Sequence, residues 1–358
     1  MIYDIFKNLL FQLSPETAHN IGLQGLNFTY QLGLNNLLFP NCNKLQQNQN
    51  QNQNKNKNQQ TSCQVMGLNF PNKVGLAAGL DKNGDYIDAL FSLGFGFLEV
   101  GTVTPKPQPG NEQPRLFRLT ENQAIINRMG FNNKGVEHLV QNVRKFKAKN
   151  DRNKSKIIGI NIGKNKDTPI ENAADDYLIC LEKSYEIADY IAINISSPNT
   201  KNLRELQKDD ALDDLLSKLK NKQQQLSQQY GKYTPIAVKI APDLDDNQLK
   251  NIAEISRKNR IDAIISNNTT LTRVGVENLP VSQESGGLSG KPIFEMSNQI
   301  LQKLANLLQN EIPIIAVGGI SSVDDAKTKL QLGAKLVQIY SGFIFKGPPL
   351  IQQCAANI

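Results

Sequence analysis

The chain has 358 residues, enough for two average domains or for one large α/β barrel with additions. Its 39% hydrophobic and 20% charged content is that of a soluble globular protein. A net charge of +7 suits an anionic ligand or an anionic membrane surface; the charge forms no block and no nucleic-acid-binding signature accompanies it, which argues against nucleic acid as a partner. The four cysteines (Cys42, Cys63, Cys180, Cys354) show no CxxC pairing and no metal-ligand spacing with His19 or His138, so reduced thiols and no metal are expected. No apolar run approaches the ~20 residues that span a bilayer, and the N-terminus does not read as a signal peptide.

Two amphipathic helices are expected first. In Ile2–Leu13 the positions Ile2, Ile5, Phe6, Leu9 and Leu13 recur at helical spacing. Ser14 reads as an N-cap, with Pro15 at the first helical position and Glu16 near the positive end of the helix dipole. The second helix carries Ala18, Ile21, Gly25, Phe28 and Leu32 on one stripe. Such a pair ahead of a catalytic domain fits packing on the protein or docking at a membrane interface. From Gln46 to Gln60 there are only Gln, Asn and Lys, a composition that buries nothing and reads as a disordered linker. The expected division is a helical domain over 1–40, a linker over 41–61 and a catalytic domain over 62–358.

After Ser62, strand and helix patterns alternate. The strands expected are Val74–Ala78, Phe95–Val103, Ile157–Ile162, Tyr190–Ile195, Ile236–Ala241, Ala263–Ser266, Ile314–Val317 and Leu336–Tyr340. Helical patterns lie between them at Tyr86–Leu93, Gly135–Phe146, Ala173–Ala188, Leu212–Leu226, Asn247–Lys258, Ser297–Leu308 and Val323–Leu332, with a last helix after Pro349. Eight strands each followed by a helix predict a (β/α)₈ TIM barrel; a doubly wound sheet is the alternative.

The strand ends carry the chemistry. Small residues Ala77, Ala78 and Gly79 let backbone approach a flat ring, and Lys82 follows. Thr102, Asn161, Asn194, Ser197, Asn268 and Thr269 supply hydroxyls and amides at later ends. Lys239 sits inside the apolar run Val238-Lys239-Ile240, where a lysine needs a partner or a function. The turns Gly318-Gly319 and Ser341-Gly342 fall in the two loops that often bind phosphate in such barrels, and Ser321 or Ser322 caps the helix after the first. No nicotinamide fingerprint, zinc motif or nucleophile–histidine pairing appears. A basic, amide-rich, phosphate-holding rim points to flavin mononucleotide (FMN), with Lys239 stabilising the reduced ring.

The motifs Ala77–Gly84 (AAGLDKNG), Gly101–Leu119, Ile126–Asn133 (INRMGFNN), Ile160–Pro169, Ala192–Thr200 (AINISSPNT), Ala237–Leu244, Gly286–Pro292 (GGLSGKP) and Gln338–Leu350 together resemble those of dihydroorotate dehydrogenases, in their membrane-associated, quinone-reducing class 2 form. The resemblance implies FMN contacts from Ala78, Gly79, Thr102, Asn161, Asn194, Lys239, Asn267, Gly290, Gly319, Tyr340 and Ser341. It departs at Asn267, where the family carries Thr or Ser. Dihydroorotate or orotate is implied to be held by Lys82, by Asn127, Arg128, Met129, Gly130 and Phe131, and by Asn199, Asn268 and Thr269. A cation for the carboxylate and amides for the imide edge suit that ligand.

By the same resemblance Ser197 is the base that takes the proton from carbon 5 while hydride leaves carbon 6, and Thr200 with a water passes the proton on. Class 1 enzymes, which use fumarate or an iron–sulfur partner, place cysteine at that serine. The helical pair is implied to admit quinone, with His19, Arg118 and Tyr340 at the inner end of its tunnel. The implied setting is a peripheral protein on the cytoplasmic face of a bacterial inner membrane, in pyrimidine biosynthesis, without an obligate protein partner.

Overall fold

The computed structural model describes residues 2–35, 62–150 and 155–358. The Gln/Asn/Lys tract lies outside these residues.

A short antiparallel hairpin, β1 (Cys63–Val65) and β2 (Leu68–Phe70), opens the larger unit, turning at Met66 and Gly67, both at positive φ. The strands β3 (Val74–Leu76), β4 (Phe97–Val103), β7 (Ile157–Ile162), β8 (Tyr190–Asn194), β9 (Ile236–Ile240), β10 (Ala263–Ser266), β12 (Ile314–Val317) and β13 (Leu336–Ile339) then close into an all-parallel barrel in chain order. Each of the eight expected strands is present within two residues of its expected ends. Their continuous apolar runs are explained by burial on both faces: nearly every barrel-strand residue is buried. The helices between strands pack their apolar stripes on the outside of the barrel.

Inside the barrel the amino-terminal end is plugged by aromatic rings. Phe70 of the hairpin meets Phe97 edge-on at 5.1 Å, and Tyr190 lies next to them. Gly159 is required here, since a Cβ on it would sit 2.1 Å from the Tyr190 ring. With that end filled, ligand access is left to the carboxyl-terminal rim.

A second sheet, which the sequence reading did not anticipate, lies over that rim. β5 (Leu116–Leu119), β6 (Ala124–Asn127) and β11 (Gly287–Gly290) pair antiparallel in the order β11-β6-β5. It joins the loop after β4 to the loop after β10, carries Asn127, Ser289 and Gly290 to the rim cavity, and turns Arg118 toward the N-terminal helices.

The helical pair is α1 (Ile2–Leu10), shorter than expected, and α2 (Pro15–Gln31). The Ser14 hydroxyl accepts from the Thr17 N–H at 3.4 Å, as an N-cap should. Polar anchors fix the pair to the barrel. The Tyr3 hydroxyl donates to Ile344 O at 2.7 Å, Arg118 donates to Phe11 O at 2.9 Å, and Arg115 grips the Glu16 carboxylate at 2.7 Å. The apolar stripe foreseen on α2 divides: Ala18 is buried, Ile21 and Gly25 line a cavity, and Phe28 and Leu32 face outward. Among the described residues no helix is long and apolar enough to cross a membrane.

Candidate active site

The carboxyl-terminal rim encloses a cavity, and register explains why its side chains converge. Asn194 pairs with Lys239 across β8 and β9, and Gly101 with Asn161 across β4 and β7, so the polar strand ends lie side by side. Lys239 is buried; desolvation pushes its ammonium below the usual lysine range, and the charge of Glu99 opposes that shift. The loop after β3 is organised by Asp81, whose carboxylate accepts from the N–H groups of Tyr86, Asp85 and Asn83 at 2.8, 3.0 and 3.3 Å. That turn delivers Lys82 to the cavity, with its ammonium on Gly79 O at 2.7 Å. Burial lowers Lys82 to about 8, and Glu16 raises it against that trend.

The segment after β8 is pinned on several sides. Tyr177 donates to Asn194 O at 2.8 Å. Arg204 donates to Ser196 O and Thr269 O, both at 3.1 Å, and pairs with Asp243 at 2.8 Å. Ser197 is therefore held on the cavity wall, where its hydroxyl oxygen accepts the Asn199 N–H at 3.2 Å. The Asn199 amide donates to Asn127 Oδ1 at 3.2 Å, tying this loop to the covering sheet.

Most residues named from the sequence meet in this one cavity. Ala78, Gly79, Thr102, Asn194, Lys239, Asn267, Gly290, Gly319, Tyr340 and Ser341 line it, as do Lys82, Asn127, Met129, Gly130, Phe131, Ser197, Asn199, Asn268 and Thr269. Three do not. Asn161 lies one layer below, bonded to Glu99 and Thr102. The Arg128 side chain turns outward to Glu284 at 2.6 Å. Thr200 is buried beside the wall without lining it. Residues that the sequence reading passed over include Ser289, whose hydroxyl meets that of Ser341 at 2.8 Å, and Gln338. Gln338 and Glu99 carried the same signal as Lys239, a polar group inside an apolar strand.

The cavity's unfilled bonding capacity tests what it can hold. Both amide atoms of Asn267, the Thr269 hydroxyl and Gln338 Oε1 are buried with no hydrogen-bond partner, and all three residues line it. Each orphan costs about 1–3 kcal/mol unless a ligand satisfies it. The Gly318-Gly319 turn exposes backbone where side chains have no room: Gly319 has φ +78, and a Cβ there would meet Phe294 at 2.4 Å. Asn267 thus offers both a donor and an acceptor to a ligand.

A second, apolar cavity lies between the helical pair and the barrel. Leu10, Ala18, His19, Leu26, Arg118 and Phe343 are among its lining, and Tyr340 lines both cavities. Burial, and then the nearby Lys82 charge, hold the His19 imidazole down to about 3, so it is neutral near pH 7. Burial raises the Tyr340 phenol to about 12, leaving it a hydrogen-bond donor.

Unpaired polar atoms around a glycine-walled slot with a lysine in its floor, at the carboxyl-terminal rim of a parallel barrel, make a site suited to a polar ligand of small-molecule or cofactor size. Comparison with known proteins narrows that class. The family model described as dihydroorotate dehydrogenase matches residues 60–358. A protein of Dechloromonas aromatica (strain RCB), named dihydroorotate dehydrogenase (quinone), is 55% identical over 358 residues, covering 100% of this chain and 98% of its own. One so named from Neisseria meningitidis (strain FAM18) is 53% identical over 353 residues, covering 99% and 98%. The crystal structure of DHODH in complex with ferulenol from Eimeria tenella superposes with a TM-score of 0.84 at 33% identity, covering 96% of this chain and 90% of that one. The chain belongs to the dihydroorotate dehydrogenase family, a family of flavoenzymes.

Proposed function

We propose that this protein oxidises dihydroorotate to orotate, with FMN as its cofactor and a membrane quinone as electron acceptor, as a step of pyrimidine biosynthesis. The observation that carries this reading is the convergence of Ser197, Lys82 and the amides of Asn127, Asn199 and Asn268 on one cavity that also holds Lys239 and the glycine turns.

FMN is held along Ala78, Gly79, Thr102, Asn194, Lys239, Gly290, Gly319, Tyr340 and Ser341, with Asn161 beneath them and Asn267 supplying its free amide. Bound there, it would supply the hydride acceptor for carbon 6 of the substrate and the electron donor for quinone. Lys82 binds the substrate carboxylate, and the asparagine amides take the imide edge. Ser197 removes the proton from carbon 5. A serine hydroxyl is a weak base, so it gives up its own proton as it takes the one from carbon 5, and the Asn199 N–H on its oxygen stabilises the partial alkoxide this requires. Thr200, buried behind the loop, takes the proton that Ser197 releases and passes it outward by way of a water. A serine in this role, with no cysteine near it in sequence, separates the reading from the fumarate-using class.

Quinone enters through the apolar cavity and approaches the site at Tyr340, with His19 and Arg118 at its inner end. Eight of the thirteen exposed large apolar side chains among the described residues lie between Ile5 and Leu34. A patch of that kind on an amphipathic helix pair favours peripheral docking on a lipid surface, which for this protein is the cytoplasmic face of a bacterial inner membrane. An acceptor assay tests the reading. Dihydroorotate-reduced enzyme should be reoxidised by a soluble ubiquinone analogue and not by fumarate or NAD; reoxidation by fumarate alone would refute the quinone assignment.

A further inference from the structure

Beneath the cavity floor lies a carboxylate that no step above uses. Glu99 on β4 is fully buried. Its Oε1 accepts from Asn161 Nδ2 at 2.8 Å, and its Oε2 accepts from the Tyr190 hydroxyl at 2.9 Å and from Gln338 Nε2 at 2.7 Å. Three neutral donors hold it, and Lys239 supplies opposite charge at longer range.

The bonds that spread from Glu99 run in one direction. An ionised carboxylate can only accept, so Asn161 must turn its NH₂ toward it. That leaves Asn161 Oδ1 to accept the Thr102 hydroxyl at 2.5 Å. Thr102, its one proton committed, accepts from Asn194 Nδ2 at 2.8 Å. Asn194 Oδ1 then faces the rim, where Ser196 Oγ and Asn268 Nδ2 donate to it at 3.2 and 3.3 Å. On the other side Gln338 spends its NH₂ on Glu99, and its Oε1 is left buried and unpartnered on the cavity wall. Asn194 Oδ1 also accepts the Ser196 N–H at 3.3 Å and Asn268 Oδ1 the Thr269 N–H at 2.8 Å, so those two amides have backbone anchors of their own. The Asn161 and Gln338 amides have no such anchor, and without a fixed acceptor at Glu99 both could turn over and present the opposite atom.

We infer that Glu99 is a positioning residue for the reaction: it sets which atom of Gln338 and Thr102 the cavity offers to flavin and pyrimidine, and through the Thr102 hydroxyl it reinforces the orientation of Asn194. The inference rests on the flavin and dihydroorotate reading of the site. It accounts for a buried charge that would otherwise only cost stability. It also predicts a specific repair. A neutral amide at position 99 meets three donors with a single oxygen. A carboxylate at position 161 then accepts from the introduced amide and still accepts from Thr102, so the direction of the chain is restored atom for atom.

The test is titration of the oxidised, flavin-loaded proteins with orotate, followed by the perturbation of visible flavin absorption. Glu99→Gln should bind orotate about tenfold or more weakly, the cost of one mispaired buried group. The double variant Glu99→Gln/Asn161→Asp should return to within about threefold of the wild type. Tyr190→Phe removes a donor without reversing any amide and should keep wild-type orotate affinity despite lower thermal stability. Wild-type affinity in Glu99→Gln, or a double variant no tighter than the single, overturns the inference. If Glu99→Gln fails to accumulate, the double variant is judged against the wild type directly, and its failure overturns the inference equally. A wild-type protein that carries no flavin would instead refute the functional reading.

Discussion

In the proposed reaction Ser197 acts without a charged partner. Its oxygen takes one backbone N–H from Asn199, and the pinned loop fixes its direction. Ser197→Ala should therefore slow flavin reduction by dihydroorotate at least ~100-fold while leaving flavin bound, as stopped-flow absorbance would show. If Lys82 binds the substrate carboxylate as proposed, the binding step has a pH dependence whose sign follows from the lowered pKa of that lysine. The pKa is lowered to about 8, so the cationic form that attracts a carboxylate dominates below that pH and is lost above it. Orotate affinity should be flat in the acid range and fall by about tenfold per pH unit on the alkaline side, with Lys82→Met weak and pH-independent over the same range. Most of these side chains were legible in the sequence because hydroxyls, amides and a lysine stand where apolar strands end. Arg128 was legible as a motif position but not as a direction, since its turn toward Glu284 depends on a loop more than 150 residues away in the chain.

At the scale of elements, the barrel strands could be read because burial on both faces leaves long Ile- and Val-rich runs. The β5-β6-β11 sheet could not. Its strands are four residues long, half-buried in β5, and interrupted by Arg118 and Asn127, so neither alternation nor a continuous run marks them. Helices α1 and α2 were legible as amphipathic, yet which side packs was not: barrel contacts bury Ala18 and Leu23 and leave Phe28 61% and Leu9 59% exposed. Those two side chains make few demands on folding. Leu9→Asp and Phe28→Asp should leave thermal stability within about 0.5 kcal/mol of the wild type, release the protein from anionic lipid vesicles in a flotation assay, and reduce turnover with long-chain quinone more than flavin reduction. Vesicle binding unchanged in both variants would remove the case for docking through these helices.

For the whole molecule, closure of the barrel is what turns scattered strand ends into one site. The amino-terminal end is filled with Phe70, Phe97 and Tyr190, so binding energy is available at the other rim alone. A cavity walled by orphaned amides and glycine turns is also a local weakness until it is filled. Flavin at a hundred times its dissociation constant should stabilise the fold by about 2.7 kcal/mol, read as a rise in thermal midpoint when stripped protein is reloaded. The purified protein, titrated anaerobically with dihydroorotate and no added acceptor, provides the most direct test of the account. It should be yellow, release FMN on denaturation, and lose its visible flavin absorption in step with added dihydroorotate. A folded protein without flavin, or one whose flavin stays oxidised under excess dihydroorotate, would contradict the account.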